Sequence, residues 1–363
     1  MRTIACMKAV TAFFLFSLSL TFFVVTVQAS SWTKVSTPND VFVAALDMVN
    51  STDGWAVGNH GCLLHWNGTS WTEVASPTDV NLVFVDIISS NEGYAVARQT
   101  TSPSVLSVIR WDGTSWKTMS TPRGYFNALA MLSSTDGWAV GNGGSIMHWD
   151  GTSWSRQAPI SYPVEITPDL VIETNLTNPL ESVDMVSSTD GWAVGYRGTI
   201  VHWNGTCWSL IECPQTFTYR TIWSVDMVSS TDGWAVGDGG RIIRWDGTSW
   251  NNVTSPTKSH LFSVAMINSD DGWAVGSDGA VIHWDGNEWS NATGPTGAWL
   301  YSVKMVSSTE GWVLGADGMY HLKLEKETSS IPIEYVLTIG AIITCIVVWL
   351  IIEKRTFKST EQK

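Results

Sequence analysis

The sequence has little charge, and basic charge is the scarcest. Of its 363 residues, 15% are charged, and 20 Lys and Arg stand against 33 Asp and Glu, which leaves a net charge of −13. Nucleic-acid binding depends on clustered basic side chains that neutralise phosphates, so we expect no nucleic-acid partner. Hydrophobic residues make up 44% of the chain, too many for a disordered polymer, and predict a folded protein with a large apolar core.

Cysteine is also scarce, with five in the whole chain, and Cys6 and Cys345 fall in hydrophobic terminal runs. If Cys207 and Cys213 lie on one strand, their Cα atoms are about 20 Å apart at roughly 3.3 Å per residue, too far for a disulfide. We therefore expect both thiols to be free and the fold to be held by packing.

The two ends carry uncharged hydrophobic runs that predict export and membrane anchoring. The run that follows Arg2 and Lys8 ends near the small residue Ala29, a pattern typical of a signal peptide over 1–29, with an uncleaved anchor as the alternative. After a linker over 325–334, residues 335–352 are uncharged and about long enough to cross a hydrocarbon core of roughly 30 Å. The basic-leaning tail 353–363 is expected in the cytoplasm, so we predict a single-pass protein of the cell membrane whose main domain is extracytoplasmic.

A unit that begins SSTDGWAVG and continues to an HWDGTSW-like stretch recurs between the two ends. Its turn glycine occurs seven times, at Gly54, Gly93, Gly137, Gly191, Gly233, Gly272 and Gly311. A period near 40 residues with four short apolar stretches per unit is typical of a β-propeller blade and not of a helical solenoid. The sequence therefore predicts an all-β, seven-bladed propeller over residues 30–324.

The fourth unit illustrates the predicted blade. Its strands are expected, from the channel outwards, at 183–186, 192–194, 199–203 and 207–212. The dipeptides Asp190-Gly191 and Asn204-Gly205 predict tight turns in which the glycine takes a positive φ.

The seventh unit lacks the Trp-Asp/Asn-Gly-x-x-Trp motif with which the other six end. The missing strand is found at the start of the exported segment, where the sequence SWTKV at 31–35 matches SWTEV at 70–74. We expect this first strand to complete the last blade, because closing the ring removes two open sheet edges.

The repeated GWAVG…G.I….DG..W pattern resembles the propeller family of photosystem II stability and assembly factors, within the wider set of Asp-box (BNR-like) and YVTN/WD40-like repeats. The resemblance covers roughly residues 30–324 and implies a propeller fold, while the family name says little about the partner. The stretch Asp150-Gly151-Thr152-Ser153-Trp154 is one residue shorter than the Asp box of sialidases, D-x-G-x-T-W. This difference weakens any inference towards glycan-cleaving relatives.

Most of the recurring polar residues are interpreted as structural. His65, His148, His202 and His283 share one third-strand position, which is filled by Arg110 and Arg244 in other blades and, on this alignment, by Leu322 in the last. Residues in separate blades do not converge on one ion, so we expect no metal site there. The Asp of each Thr-Asp-Gly-Trp turn is expected to accept backbone N–H groups inside its turn.

Four inner-strand aspartates are expected to face the central channel because they alternate with apolar residues: Asp47, Asp86, Asp184 and Asp226. A ring of carboxylates is an arrangement that holds cations in some proteins, but an acidic, water-filled channel needs no ligand. We expect no metal and no cofactor.

The strongest candidate for a binding surface is a group of aromatic residues at positions that vary between the units. Trp223, Phe262 and Tyr301 occupy one such position in three consecutive blades, and Tyr219, Arg220, His260 and Trp299 lie on neighbouring loops. Aromatic surfaces with arginine suit protein anchors or stacked sugars. The alternative is that the rings only cap the ends of the blades. Two insertions, around 98–104 and 159–179, are expected on the same face.

Six Asn-x-Ser/Thr sequons are candidates for glycosylation if the chain is exported: Asn50, Asn67, Asn175, Asn204, Asn252 and Asn291.

These features favour a membrane-anchored, non-catalytic scaffold that binds a protein or a glycan outside the membrane. One alternative is a glycan-acting hydrolase of the Asp-box type, which would need an arginine cluster and a Tyr–Glu pair, neither of which the sequence assembles. Another is a structural envelope protein without a specific ligand.

Overall fold

The computed structural model describes residues 32–98, 106–119, 126–167, 170–217 and 219–323. In this part of the chain, seven four-stranded antiparallel sheets and one separate two-stranded sheet account for all the strands. The seven sheets are the blades of a propeller, and the strand that begins each repeat unit lines a central channel. The prediction of an all-β, seven-bladed propeller is confirmed.

The strands follow one another in the same order in every blade. Blade 1 contains β2 (Val43–Asn50), β3 (Asp53–Gly58), β4 (Leu63–Trp66) and β5 (Trp71–Glu73), and blade 2 contains β6 (Leu82–Ser89), β7 (Glu92–Arg98), β8 (Leu106–Trp111) and β9 (Trp116–Thr118). Blade 3 contains β10 (Phe126–Ser133), β11 (Asp136–Gly141), β12 (Ser145–Trp149) and β13 (Trp154–Arg156), and blade 4 contains β16 (Leu180–Ser187), β17 (Asp190–Gly195), β18 (Ile200–Trp203) and β19 (Trp208–Ile211). Blade 5 contains β20 (Ile222–Ser229), β21 (Asp232–Gly237), β22 (Ile242–Trp245) and β23 (Trp250–Val253), and blade 6 contains β24 (Leu261–Asn268), β25 (Asp271–Gly276), β26 (Val281–Trp284) and β27 (Trp289–Asn291). Blade 7 contains β28 (Leu300–Ser307), β29 (Glu310–Gly315), β30 (Gly318–Lys323) and β1 (Trp32–Val35). Short 3₁₀ turns lie at Pro38–Asp40, Asn59–Gly61, Asn142–Gly144, Tyr196–Gly198, Gln215–Phe217, Asp238–Gly240 and Ser277–Gly279.

The ring closes in the way that the sequence predicts. Strand β1 pairs antiparallel with β30, with Trp32 opposite Leu322 and Val35 opposite Met319. The indole Nε1–H of Trp32 also donates to the carbonyl of Thr293 in blade 6 at 2.9 Å. The outer edge of blade 7 is therefore covered by the first strand of the described chain.

Tryptophan side chains fill the spaces between neighbouring blades. The ring of Trp55 in blade 1 lies 4.7 Å from that of Trp111 and 5.1 Å from that of Trp116, both in blade 2. At the closing junction, Trp312 of blade 7 contacts Trp66 and Trp71 of blade 1 in the same way, at 4.9 and 5.3 Å. These junctions bury large rings in edge and tilted contacts, so the core of this fold lies between its sheets.

The turn glycines are required for two different reasons. Gly205 has a φ of 88°, as its tight turn predicts. The expectation of a positive φ at Gly191 is wrong, because this glycine is not among the residues with positive φ. A Cβ at Gly191 would lie 2.2 Å from Sδ of Met185, so any larger residue would force the Met185 side chain on the inner strand to move. The same methionine contact recurs at the turn glycines of five other blades, and Ile87 replaces the methionine in blade 2.

The turn aspartates pair with the third strand and not with backbone amides. Oδ1 of Asp190 lies 2.8 Å from Nε2 of His202, whose ring stacks on Trp192 at 4.2 Å. The predicted position for blade 7 is wrong by one residue, since His321, and not Leu322, pairs with Glu310 at 3.0 Å. The histidines are thus structural, because each one links a turn to a core tryptophan.

The insertion at 159–179 forms an extra hairpin that the sequence did not predict. Strand β14 (Ser161–Thr167) pairs with β15 (Leu170–Asn175) as a two-stranded sheet between blades 3 and 4. The insertion around 98–104 follows the end of β7, and residues 99–105 lie outside the described residues.

Within the residues that the structure describes, no helix has the length and apolar character that crossing a membrane requires. The predicted signal peptide over 1–29, the linker, the membrane helix over 335–352 and the cytoplasmic tail all lie outside the described residues.

Candidate functional site

The candidate site is the mouth of the central channel, on the face where each inner strand begins. Every inner strand has a break in its pairing register at the second residue, as at Trp223, which lies between the pairs Ile222–Gly237 and Ser224–Val236. An extra residue of this kind is a β-bulge, which changes the direction of a side chain relative to the regular strand. The seven bulge residues, here called the mouth ring, all line the channel: Ala44, Val83, Asn127, Glu181, Trp223, Phe262 and Tyr301.

Three aromatic residues of the mouth ring, Trp223, Phe262 and Tyr301, come from consecutive blades, 5, 6 and 7. The rings of Trp223 and Phe262 lie 6.1 Å apart and nearly perpendicular, and the ring of Trp299, on a loop, lies 5.7 Å from that of Phe262. The imidazole of His260 stacks on Phe262 with an interplanar angle of 2°. We call Trp223, Phe262, Trp299 and His260 the aromatic cluster.

The aromatic cluster reaches solvent. Trp299 is 51% exposed and the adjacent Tyr301 of the mouth ring is 39% exposed, whereas most tryptophans of the propeller are buried between blades. Large exposed rings on a soluble domain are unusual when they are contiguous, and they mark interaction surfaces.

Asp238 holds part of the aromatic cluster in place. Its Oδ1 accepts the indole N–H of Trp223 at 2.9 Å and lies 3.0 Å from Nδ1 of His260, and its Oδ2 accepts the backbone N–H of Thr221. Desolvation raises the pKa of this carboxyl, but the hydrogen bonds from Thr221, Trp223 and His260 together hold it below its ordinary value. The ionised carboxylate therefore orients two rings from two blades.

Two of the sequence candidates lie apart from this cluster. Tyr219 is 77% exposed, has a φ of 61°, and lies under the guanidinium of Arg197 at 5.8 Å. Arg220 is exposed, and its backbone N–H donates to the carbonyl of Phe217. Of the seven predicted binding residues, the structure brings four into ring contact and places Tyr301 beside them on the mouth ring.

Below the mouth, the four predicted aspartates line a central cavity of about 500 Å³. Each of them accepts a backbone N–H from the next blade, for example Asp226 from Met266 at 2.5 Å. In the other three bonds, Asp47 accepts from Ile87 at 2.7 Å, Asp86 from Met131 at 2.6 Å and Asp184 from Met227 at 2.6 Å. These charged-acceptor bonds join neighbouring inner strands, a structural role that the sequence reasoning missed.

The cavity is electrostatically unbalanced. Lys304 is the single basic residue among the described residues that line it, and Nζ of Lys304 pairs with Oδ1 of Asp47 at 2.8 Å. That carboxylate raises the pKa of Lys304. Desolvation and then the neighbouring carboxylates raise the pKa of Asp86 and of Asp226 to about 7, and desolvation raises the pKa of Asp184 as well.

The features of a sialidase-like site are not assembled in the described part of the chain. No arginine lines the central cavity, and Arg110 and Arg244 are paired with Glu92 and Asp232 in separate blades. Within the same described residues, no group of three or more His, Cys, Asp or Glu side chains is arranged to hold a metal ion.

The six sequon asparagines are all exposed. Asn67 and Asn204 lie in the turns between third and fourth strands, where their Oδ1 atoms accept turn hydrogen bonds. The Oδ1 of Asn50 accepts the backbone N–H of Thr52 in a neighbouring turn. These three turns lie at the end of the blades opposite the mouth ring, and Asn175, Asn252 and Asn291 lie at or near the ends of β15, β23 and β27.

Comparison with solved structures identifies propellers of the same architecture. The chain is similar to YCF48 from Cyanidioschyzon merolae, a photosystem II assembly factor, with a TM-score of 0.63 and 21% identity over 83% of this chain and 100% of the other. It is similar to YCF48 bound to D1 peptide, with a TM-score of 0.63 and 17% identity over 83% and 97%. The WD40 propeller domain of Doa1 gives a TM-score of 0.62 and 15% identity over 83% and 99%.

At these identities the likeness establishes the fold. No protein-family model matches the sequence, and no curated protein matches it. The two YCF48 structures agree with the resemblance carried by the repeats.

Proposed function

We propose that this chain is a non-catalytic scaffold that binds an extended segment of a partner protein across the aromatic cluster at the channel mouth. The observation that carries the proposal is the contact of Trp299, Phe262 and Trp223 from adjacent blades, with Trp299 half exposed and Trp223 fixed by Asp238. Rings that are already oriented lose little conformational entropy on binding, so they make effective anchors.

A protein segment suits this surface better than a compact ligand. The aromatic cluster and Tyr301 together span blades 5 to 7 along one side of the channel, so an occupant that covers them must be long enough to cross three blades. The similar propeller YCF48 bound to D1 peptide shows that a peptide is a ligand of one propeller of this architecture. The absence of an assembled hydrolase site from the described residues removes the main reason to propose an enzyme.

Affinity capture of the full chain from its native membrane, with the captured proteins identified by mass spectrometry, tests the proposal. We expect Trp299→Ala and Phe262→Ala each to weaken capture of the partner about tenfold or more, because truncation of a central aromatic anchor costs roughly 2 kcal/mol. Leu210→Ala is the matched control, since Leu210 is 40% exposed but lies on the outer strand of blade 4. Equal capture by all three variants, with unchanged thermal unfolding, would refute the proposed surface.

The location of the scaffold is part of the proposal. In this proposal a signal peptide over 1–29 directs export, and a membrane helix over 335–352 anchors the propeller on the extracytoplasmic side of the cell membrane. Labelling of intact cells with a membrane-impermeant amine reagent is expected to modify the propeller lysines, such as the exposed Lys117. Labelling that requires lysis of the cells would contradict this topology.

A further inference from the structure

The channel beneath the aromatic cluster carries negative charge that the described residues do not neutralise. Glu181 of the mouth ring and four aspartates line the cavity, against the single lysine Lys304. Asp47 is the carboxylate paired with that lysine. The remaining acids have no basic partner within hydrogen-bonding distance among the described residues.

Two of these carboxylates have an oxygen available to a ligand. Both oxygens of Asp184 accept backbone N–H groups, from Met185 and from Met227. Asp86 and Asp226 each use only Oδ2, and Oδ1 of each has no hydrogen-bond partner among the described residues. Desolvation, and then the charge of the neighbouring carboxylates, raises the pKa of both groups.

The acidic side chains lie next to the aromatic cluster on the lining of the channel. Glu181 belongs to blade 4 and Trp223 to blade 5, so they are neighbours on the mouth ring, and Asp226 follows Trp223 three residues later on the same inner strand and lines the same cavity. Glu181 is partly buried, and desolvation raises its pKa. An aromatic surface next to partly buried carboxylates matches a long cationic side chain, whose methylene stem packs on rings while its charged head meets the acids.

We propose that the partner segment inserts a lysine or arginine side chain into the channel mouth, with its stem against Trp223 and Phe262 and its cationic head between Glu181 and Asp226. This inference rests on the proposed function, because it names the chemistry of the segment that the aromatic cluster holds. Charge complementarity selects the cation, and the aromatic rings supply the anchor.

A peptide array tests the inference with the full chain in detergent. The probes are nine-residue peptides whose central residue is lysine, arginine, norleucine or glutamate and whose other positions are randomised among neutral residues. We expect peptides with a central lysine or arginine to bind about tenfold more tightly than their norleucine counterparts, since one partly desolvated charge pair is worth roughly 1.4 kcal/mol. The preference should fall with added salt.

The variants separate this inference from the proposed function. In Glu181→Gln combined with Asp226→Asn we expect the preference for lysine over norleucine to fall to about twofold or less, while norleucine peptides bind as before. Glu288→Gln is the control, because Glu288 is an exposed acid in a turn of blade 6 at the end of the blade opposite the mouth ring. Equal binding of lysine and norleucine peptides, with binding still lost in Trp299→Ala, would overturn the cation inference alone. Peptide binding that is absent, or that is unaffected by Trp299→Ala, would overturn both.

Discussion

Replacement of the channel carboxylate Asp226 by asparagine is expected to change how the stability of the propeller depends on pH. Asp226 accepts the backbone N–H of Met266 in the next blade, and the amide oxygen of an asparagine accepts the same bond. The substitution therefore removes the ionisable group and keeps the link between blades 5 and 6.

The magnitude follows from the pKa. Desolvation, and then the charge of Asp184, raises the pKa of Asp226 from 3.8 to about 7. Because each pKa unit corresponds to about 1.4 kcal/mol, the folded state is about 4 kcal/mol less favourable for the ionised carboxyl than the unfolded state is. Between pH 4 and 7 the folded protein holds more protons at this site than the unfolded protein, so this contribution to stability decreases as the pH rises and levels off above 7.

The assay is thermal or urea unfolding of the full chain in detergent at pH 5, 6, 7 and 8. We expect the wild type to lose stability across this range and Asp226→Asn to lose less. Because only the part of the pKa shift above pH 5 contributes here, the variant gains up to about 3 kcal/mol relative to the wild type between pH 5 and 8.

A turn aspartate provides the control. Hydrogen bonds from Thr248 and Ser249 lower the pKa of the exposed Asp246 to about 2, so its contribution is present above pH 4 and is lost only at lower pH. Asp246→Asn should therefore leave the slope between pH 5 and 8 unchanged. If Asp226→Asn shows the same slope as the wild type, the channel carboxyl does not titrate near neutral pH and the electrostatic reasoning is wrong.

Three further predictions concern packing and binding. Gly191→Ala places a methyl group on Sδ of Met185, so we expect the unfolding midpoint to fall and the free energy of unfolding to decrease by about 1–3 kcal/mol. The decrease should be smaller when Met185→Ala is added, whereas additive effects of the two substitutions would argue against the contact. Trp32→Ala removes the indole hydrogen bond to Thr293 and the contact with Trp273, so the propeller should unfold at a lower denaturant concentration, with the free energy of unfolding reduced by about 2 kcal/mol or more. An unchanged midpoint would mean that β1 does not close the ring in solution. Binding of lysine-centred peptides should strengthen from pH 6 to 8, because Asp86 and Asp226 ionise over this range. The other charged groups near them are Asp47, Asp184, Glu181, Lys304 and Arg98. Binding that does not change with pH would show that these acids do not contact the cation.

The propeller fold could be predicted from the sequence because the pattern that specifies it repeats along the chain. Seven turn glycines at spacings near 40 residues and alternating apolar strands determine the number of blades, and the match between 31–35 and 70–74 determines how the ring closes. The extra hairpin at 161–175 escaped this reasoning because it falls outside the repeat and contains Pro163, which argues against a strand.

Only part of the candidate site could be predicted from the sequence. The variable position occupied by Trp223, Phe262 and Tyr301 was visible as a departure from the repeat, but the β-bulge that places it on the channel mouth depends on pairing register. Asp238 is followed by a glycine, as in an ordinary Asp-Gly turn, and no local signal in the sequence indicated its hydrogen bonds with Trp223 and His260 in two different blades.

What the sequence alone determined is therefore the repeating blade, its core and its closure, since each depends on residues within one unit or on copies of that unit. What only the tertiary structure decided is how different units meet: which carboxylates bond to the next blade and which rings lie next to which acids. Those contacts join residues that lie about 40 positions apart in sequence and a few ångströms apart in space. A pattern along the chain does not contain the register that brings them together.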